Sequence, residues 1–435
     1  MLLYKKAPKS IARLTSDKYK ISGRRRVVLI TSVDIRRIIK IMKVAGIVAE
    51  YNPFHNGHKY QIDTLKSNGF THIVTAMSGN FVQRGDVAIV DKWLRTALAL
   101  SSGVDLVFEI PTCYCLAPAE KYCFSAVEIL KNSGIVDNLC FGSETGDINK
   151  LSAIADILSD KAVDEKIKEH LKSGITYAAA RENAVKELYK NTDFAYFLKN
   201  PNDVLGIEYL RALKSLKSDI KPLAIRRIGV AHDDRIVTED FASASKIREM
   251  IKSGEDYANF MPENHAFELK RAKNERVFPV FLEDNERVIL SLLRNLKEED
   301  FASLCDVSEG FHNRLFSAVR EADSLEKLYS LAKTKRYTLA RIRRLIMNSA
   351  LGIFAYEKPP YLRVLGFSEN GKELLSLIKE KSDLPIVTSF SEAKKLSPSA
   401  ENYFKKEARY TDFYSMLMPK IAQSGMEFSR SIVKI

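Results

Sequence analysis

An α/β fold built on a parallel, doubly wound sheet is predicted for residues 42–270 of this 435-residue chain. Three observations carry the prediction. Short apolar runs alternate with amphipathic helical stretches. The first run, Val44–Ala49, is uninterrupted by charge, as a strand covered on both faces should be. Two polar, glycine-bearing turns, at His55–His58 and at Gly142-Ser143-Glu144, follow predicted strands, and ligands of such sheets bind at the carboxyl ends of strands.

After the first strand, Asn52-Pro53 breaks the extended run, and Gly57 lets backbone approach a ligand closely. A helix follows to about Lys66, with His55 and His58 in its first turn. Its free N–H groups and positive dipole end suit phosphate, and two imidazoles three residues apart can both donate hydrogen bonds to phosphate oxygens. Such a turn can hold a nucleoside triphosphate and stabilise charge as its α-phosphorus is attacked. A plain surface pair is the bland alternative. Zinc is disfavoured, since no third His or Cys lies nearby.

Thr71–Met77 is the second predicted strand, and a polar loop over Ser78–Asp86 leads to a helix from Lys92 to Ser101. That loop, with Asp91, Lys92 and Arg95 behind it, reads either as a segment ordering over substrate or as a variable surface loop. Val104–Ile110 is the third strand, stopped by Pro111; a helix over Ala117–Asn132 and a fourth strand at Asn138–Phe141 follow. Residues 147–190 are charged and helical and read as an insertion. Asn200-Pro201 opens another helix, with Asn202 or Asp203 placed to cap it. Leu223–Val230 is the fifth strand, and Ser243–Arg248 starts a further helix. Beyond about residue 270 the strand pattern fades into long amphipathic helices, so 271–435 is predicted to be a mainly α-helical domain.

The net charge of +13 is unevenly spread. Of 68 Lys/Arg and 55 Asp/Glu, residues 1–41 hold twelve and two, leaving 56 and 53 in the body. This basic leader lacks the apolar core and cleavage site of a secretory signal. It reads as an extension upstream of a natural start at Met42, or as a nucleic-acid-binding arm. No apolar run is long enough to span a membrane. Five cysteines without paired C-x-x-C spacing are expected to be reduced thiols in a cytoplasmic protein, with no protein metal site.

Further residues offer chemistry alongside bland readings. Gly142 would let a ribose or adenine lie against bare backbone, or is an ordinary turn glycine. Of Arg226 and Arg227, only one can face a ligand if both lie in a strand. Ser243, Ser245, Lys246 and Arg248 form either a triphosphate clamp or a helix cap. Lys335, Arg336, Tyr337, Arg341 and Arg344 form the most basic stretch of the body, with Leu339, Ile342 and Ile346 as the opposing apolar stripe. That face suits an RNA backbone and a stacked base, or is simply solvated.

Taken in order, Glu50-Tyr-Asn-Pro-Phe-His-Asn-Gly-His58, Met77-Ser-Gly-Asn-Phe-Val-Gln-Arg-Gly-Asp86, Asp91-Lys-Trp-Leu-Arg95, Cys140-Phe-Gly-Ser-Glu144, Asn202-Asp-Val-Leu-Gly-Ile-Glu-Tyr209, Arg227-Ile-Gly229, Thr334-Lys-Arg-Tyr-Thr338 and Arg363-Val-Leu-Gly-Phe367 resemble the bacterial tRNA(Met) cytidine acetate ligase family. The resemblance implies a Rossmann-like nucleotidyltransferase domain. It implies ATP with Mg2+, acetate as substrate, formation of acetyl-adenylate, and acetyl transfer to N4 of the wobble cytidine of elongator tRNA(Met). It places the ATP site on Val48, Ala49, Glu50, Tyr51, Asn52, Pro53, Phe54, His55, Asn56, Gly57, His58, Lys59, Tyr60 and Gln61, with Gly142, Asn202, Arg227 and Ile228. His55 and His58 are its catalytic pair, and it favours Arg227 over Arg226. The loop Gly229-Val230-Ala231-His232-Asp233 lacks the tyrosine usual in the family. A small-molecule adenylyltransferase and a non-catalytic RNA-binding protein are the rival readings.

Overall fold

The computed structural model describes residues 42–189, 197–227, 240–307 and 310–435. The leader 1–41, Ile228 and the loop 229–233 lie outside the described residues. Val44–Ile435 forms one compact unit.

Its centre is β1 (Val44–Ala49), paired in parallel with β2 (His72–Ser78) on one side and β6 (Asn138–Ser143) on the other. β2 pairs in parallel with β5 (Leu106–Ile110), and β6 with β7 (Lys221–Arg226). A two-stranded hairpin, β3 (Phe81–Val82) and β4 (Asp86–Val87), projects between β2 and α2 (Lys92–Ser101). α1 (Asn56–Ser67) covers one face of the sheet: Ile62 and Leu65 pack with Ile47, Ile73 and Val107. α3 (Ala119–Asn132) covers the other face. It comes so close that a Cβ at Gly46 would lie 2.8 Å from Val136 and 3.0 Å from Leu130. Both faces of β1 are therefore covered, which is why its sequence is apolar throughout.

The segment 271–435 is helical over Glu286–Arg294, Phe311–Glu321, Leu325–Ala332 and α6 (Leu339–Leu351). It also returns to the sheet. β8 (Leu362–Phe367) lies antiparallel against β5, with β9 (Ile386–Val387) and β10 (Val433–Lys434) parallel to β8. The sheet order is β10-β8-β5-β2-β1-β6-β7. The long helix α7 (Pro398–Met416) then packs over Pro111 and Thr112, at the end of β5.

On α7, Glu407 accepts hydrogen bonds from Thr112 N–H at 3.1 Å and Thr112 Oγ1 at 2.6 Å. Burial, then the neighbouring Glu109, pushes its carboxyl up to about 7. A carboxyl whose pKa is higher folded than unfolded holds a proton that unfolding releases. Its stability contribution is full below the unfolded value near 4.5 and is lost as pH rises through 7. Glu407→Gln keeps an acceptor for Thr112 and removes the titration. Urea unfolding is expected to show a gain of as much as roughly 3 kcal/mol at pH 8, vanishing toward pH 5.

Candidate functional site

A cleft of about 600 Å³ opens at the carboxyl ends of β1 and β6. It is bounded by the start of α1, the β3–β4 hairpin, α4 (Pro201–Ser215), the end of β7 and α5 (Ala244–Ser253). Its floor is the turn between β1 and α1. Tyr51 reverses the chain there with φ 48, in the left-handed region. Fully buried Arg95 fixes that turn from behind: Nη1 donates to the carbonyls of Glu50 (2.7 Å) and Ser78 (2.9 Å), Nε to Val90 (3.0 Å), and Nη2 to Gly79. One guanidinium thus ties the ends of β1 and β2 to α2. Asn52 Oδ1 accepts from Ile89 N–H at 2.8 Å, and Glu50 Oε1 from Gln83 N–H at 2.8 Å, so the hairpin is docked on the turn. Asn80, Phe81 and Val82 are buried while Val82, Gln83, Arg84 and Asp86 border the cleft, so the polar loop read from the sequence is anchored in the fold beside the site.

The two imidazoles cap α1 reciprocally. Gly57 N–H donates to His55 Nδ1 at 3.0 Å, and His55 N–H donates to His58 Nδ1 at 3.2 Å. The rings stack with centroids 3.8 Å apart. Because each Nδ1 is an acceptor, the neutral tautomer carries its proton on Nε2, leaving two N–H donors for a ligand. Burial, then the Arg227 and Arg248 charges, lowers His55 to about 3. Burial, then His55, Arg227 and His265, holds His58 well below its ordinary value. Both are neutral donors at neutral pH. A Cβ at Gly57 would lie 2.8 Å from the His55 ring, so this glycine first makes room for its own neighbour. Tyr51 and Phe54 pack against the His58 ring at 4.9 and 5.4 Å.

Across the cleft, Arg248 of α5 donates to the Asn52 carbonyl at 2.7 Å and to Ser245 Oγ at 3.2 Å. Ser243 caps α5 through Lys246 N–H at 3.1 Å and also borders the cleft. The cap and the clamp readings therefore describe the same residues. At the β6 end, a Cβ on Gly142 would sit 3.4 Å from the Arg227 side chain, so Arg227 occupies the bare backbone there. Arg226 and Arg227 both border the cleft. β7 ends at Arg226, so the alternation expected to separate them no longer applies. Neither Asn202 nor Asp203 is the cap of α4. Asn200 holds that position, and the Glu144 carboxylate takes the N–H groups of Asn202 (3.1 Å) and Asp203 (2.8 Å) and the Asn202 amide (2.6 Å).

A family model described as HIGH Nucleotidyl Transferase matches residues 42–428. The tRNA(Met) cytidine acetate ligase of Thermoanaerobacter sp. (strain X514) is 40% identical, over 91% of this chain and 100% of its own length. That of Acetivibrio thermocellus is also 40% identical, over 90% and 100%. The chain belongs to the tRNA(Met) cytidine acetate ligase family. It is a ligase with a nucleotidyltransferase fold. A crystal structure of Thermotoga maritima TmcAL bound with alpha-thio ATP superposes on the ligase with a TM-score of 0.84 at 32% identity, over 91% of this chain and 100% of that one.

Of the sequence-derived ATP set, Val48, Ala49, Glu50, Tyr51, Asn52, His55, Gly57, His58, Tyr60 and Gln61 line the ligase cleft with Gly142, Asn202 and Arg227. Pro53, Phe54, Asn56 and Lys59 do not. Phe54 belongs to the core, Asn56 donates to the carbonyls of Asp240 and Asn259 at 2.9 Å each, and Lys59 pairs with Asp63 on the outer face of α1. The basic stretch is also placed differently from its helical wheel. Tyr337 is buried, with the Phe311 ring stacked 3.6 Å away and the Arg341 guanidinium 4.1 Å from its ring, so it has no face for a base. Arg341 and Arg344 pair with Asp306 at 3.1 and 3.7 Å, whereas Leu339 is exposed. Lys335 is exposed, and Arg336 donates to the Leu171 carbonyl at 3.2 Å. Sequence reasoning passed over Arg343, which does border the cleft. On the wheel Arg344, its i+1 neighbour, lies well away from the Leu339, Ile342 and Ile346 stripe, and that criterion does not single out Arg343.

Proposed function

We propose that this ligase activates acetate with ATP and acetylates N4 of the wobble cytidine of elongator tRNA(Met). The observation that carries the reading is the pair of neutral imidazoles presenting Nε2–H groups at the carboxyl end of β1, opposite Arg248 and Ser245. The names of the relatives and the ATP analogue bound by the Thermotoga maritima protein support it.

In the first step an acetate oxygen attacks the α-phosphorus, the bond to the β-phosphate oxygen breaks, and pyrophosphate leaves. His55 and His58 donate to oxygens that gain charge in the transition state, and the fixed N–H end of α1 adds to them. Arg248 and Ser245 hold the leaving end. Among the described residues no three His, Cys, Asp or Glu side chains converge as a metal cage. Arg248, Ser245 and the imidazole Nε2–H groups would meet phosphate oxygens directly, with Mg2+ carried in by ATP. The ion would supply charge neutralisation of the pyrophosphate. Catalysis by the protein is positioning and electrostatics, with no covalent protein intermediate. In the second step the N4 amine takes the acetyl group and AMP leaves. The almost balanced charge of the body points to local basic contacts with tRNA, exposed Lys335 among them, that weaken with salt. No helix among the described residues is long and apolar enough to cross a membrane.

The test is incubation with ATP, isotopically labelled acetate and tRNA, read by mass spectrometry of the digested tRNA. Label in N4-acetylcytidine is expected. ATP–pyrophosphate exchange that ignores acetate and requires a phosphorylated metabolite would instead establish the adenylyltransferase reading.

A further inference from the structure

The activation site leaves one part of the cleft unused: the tip of the β3–β4 hairpin, where Asp86 faces the same space as the imidazole pair. Among the described residues four acids border the cleft, and three of them are engaged. Glu50 accepts from Gln83 N–H at 2.8 Å. Glu249 and Glu283 are solvent-exposed and lie 3.8 and 3.6 Å from Lys246 and Lys252. Asp86 is shielded, and its one hydrogen bond among the described residues comes from its neighbour's N–H, Val87, at 2.8 Å. Among the described residues no other donor reaches its remaining lone pairs.

The surroundings of Asp86 are those of a carboxylate kept for a ligand. Gly85, at φ 76, seats the hairpin tip on α6: a Cβ there would lie 2.4 Å from Arg344 N and 2.7 Å from Arg343 Cβ. That docking fixes Arg343 beside the hairpin, bordering the cleft, with a buried Nε that has no partner among the described residues. Its guanidinium lies 5.2 Å from the Tyr329 ring. Burial raises the Asp86 carboxyl; Val87 N–H, Arg343 and Arg248 oppose this, while Glu283 reinforces it. The two arginines therefore favour the ionised form that burial resists.

Resting on the acetyl-transfer reading, we propose that Asp86 is the carboxylate that receives the cytidine N4 amine and takes its proton during acetyl transfer, with Arg343 donating to the acceptor edge of the same base. Cytosine presents an N4–H donor beside the N3 and O2 acceptors, so an acid and a guanidinium side by side match its edge and mismatch uracil, which has an acceptor at position 4. Chemistry requires a base as well as a reader. The N4 lone pair is conjugated with the ring and weakly nucleophilic. As it bonds to the acetyl carbonyl carbon, the bond from that carbon to the AMP oxygen breaks and AMP leaves as the anion. The N4 proton passes to Asp86 and then to water, so atoms and charge balance.

Asp86→Asn keeps the shape and the contact with Val87 N–H but cannot take a proton. Measured on the full chain, acetate-dependent ATP–pyrophosphate exchange is expected within about threefold of wild type. The rate of single-turnover acetyl transfer to unmodified tRNA(Met) from enzyme preloaded with ATP and acetate should fall by about 100-fold or more. The loss should lie in kcat more than in KM for tRNA, and Asp86→Glu should restore part of it. A merely structural Asp86 would lower both half-reactions together and reduce the melting temperature. Transfer by Asp86→Asn at the wild-type rate, or a parallel loss of exchange, would overturn the inference. If wild type lacked acetate-dependent exchange altogether, the acetate-ligase reading would fail first, and the two failures are distinguishable.

Discussion

Replacing His58 with alanine is expected to lower kcat/KM for ATP in acetate-dependent pyrophosphate exchange by about 100- to 1000-fold, the usual cost of deleting a preorganised donor to developing charge. The variant loses one Nε2–H donor and also the acceptor of His55 N–H, so the first turn of α1 loses half of its reciprocal cap. Binding of tRNA should be unchanged, because His58 lies at the floor of the nucleotide cleft; a variant that lost tRNA affinity instead would contradict its assignment to ATP. The pH dependence separates two modes of action. Were the pair imidazolium, exchange would fall as pH rose through about 6.5. With His55 lowered to about 3 and His58 also well below its ordinary value, both stay neutral across that range. Exchange should therefore stay level, as far as these groups govern it, from about pH 6 to 8. The triphosphate favours protonation and raises both values in the complex, so any acid limb should appear at higher pH in kcat than in kcat/KM.

How much of this was legible in the sequence depends on the separation of the residues involved. The turn from Val44 to His58 could be read because strand, break, glycine and imidazoles are consecutive, and the helix start they define is a local event. The four predicted strands that follow are also present, shifted by a few residues: His72–Ser78, Leu106–Ile110, Asn138–Ser143 and Lys221–Arg226. β8 escaped notice as a strand, though Arg363–Phe367 was singled out as a motif. Its partner β5 lies some 260 residues away, and only that pairing gives the run its role. Caps and ion pairs failed in the same manner. The N–H groups at the start of α4 are met by Glu144, 58 residues earlier, rather than by a local side chain. Arg341 and Arg344 look solvated on a helical wheel, but Asp306 makes their burial affordable. A wheel counts guanidinium as polar and has no means of showing a carboxylate on a distant turn, where Asp306 lies.

Lys92 is where such long-range pairing should have its largest effect on stability. Its ammonium is fully buried, 2.6 Å from Glu109 of β5 and in contact with Glu427 near the carboxyl end of the chain. Arg363 of β8 approaches the same carboxylates at 4.0 and 3.3 Å, and Thr411 donates to Glu427 at 2.8 Å. Lys92→Met keeps the length and apolar volume of the stem but leaves two buried carboxylates facing one guanidinium. The expected loss is about 3–5 kcal/mol, read as a lower urea midpoint with the slope unchanged. Its pH dependence has a definite sign. Without the ammonium, Glu109, already raised chiefly by burial, is raised further and must take up a proton to stay folded. Stability is then fullest below the unfolded glutamate value and declines as pH rises through the higher folded one, so the deficit should be larger at pH 8 than at pH 5.5. Glu109→Gln in the same chain should recover part of it, since one buried charge then disappears. The consequence reaches the nucleotide cleft, because α2 carries Lys92 and Arg95 one turn apart. The Lys92 N–H also donates to Asn80 Oδ1 at 2.9 Å, and Arg95 holds the Glu50 carbonyl under the imidazole turn. Lys92→Met should therefore weaken ATP binding even below its unfolding transition. An Lys92→Met variant destabilised as stated but binding ATP as tightly as wild type would show that Arg95 holds the turn in place independently of the buried charges.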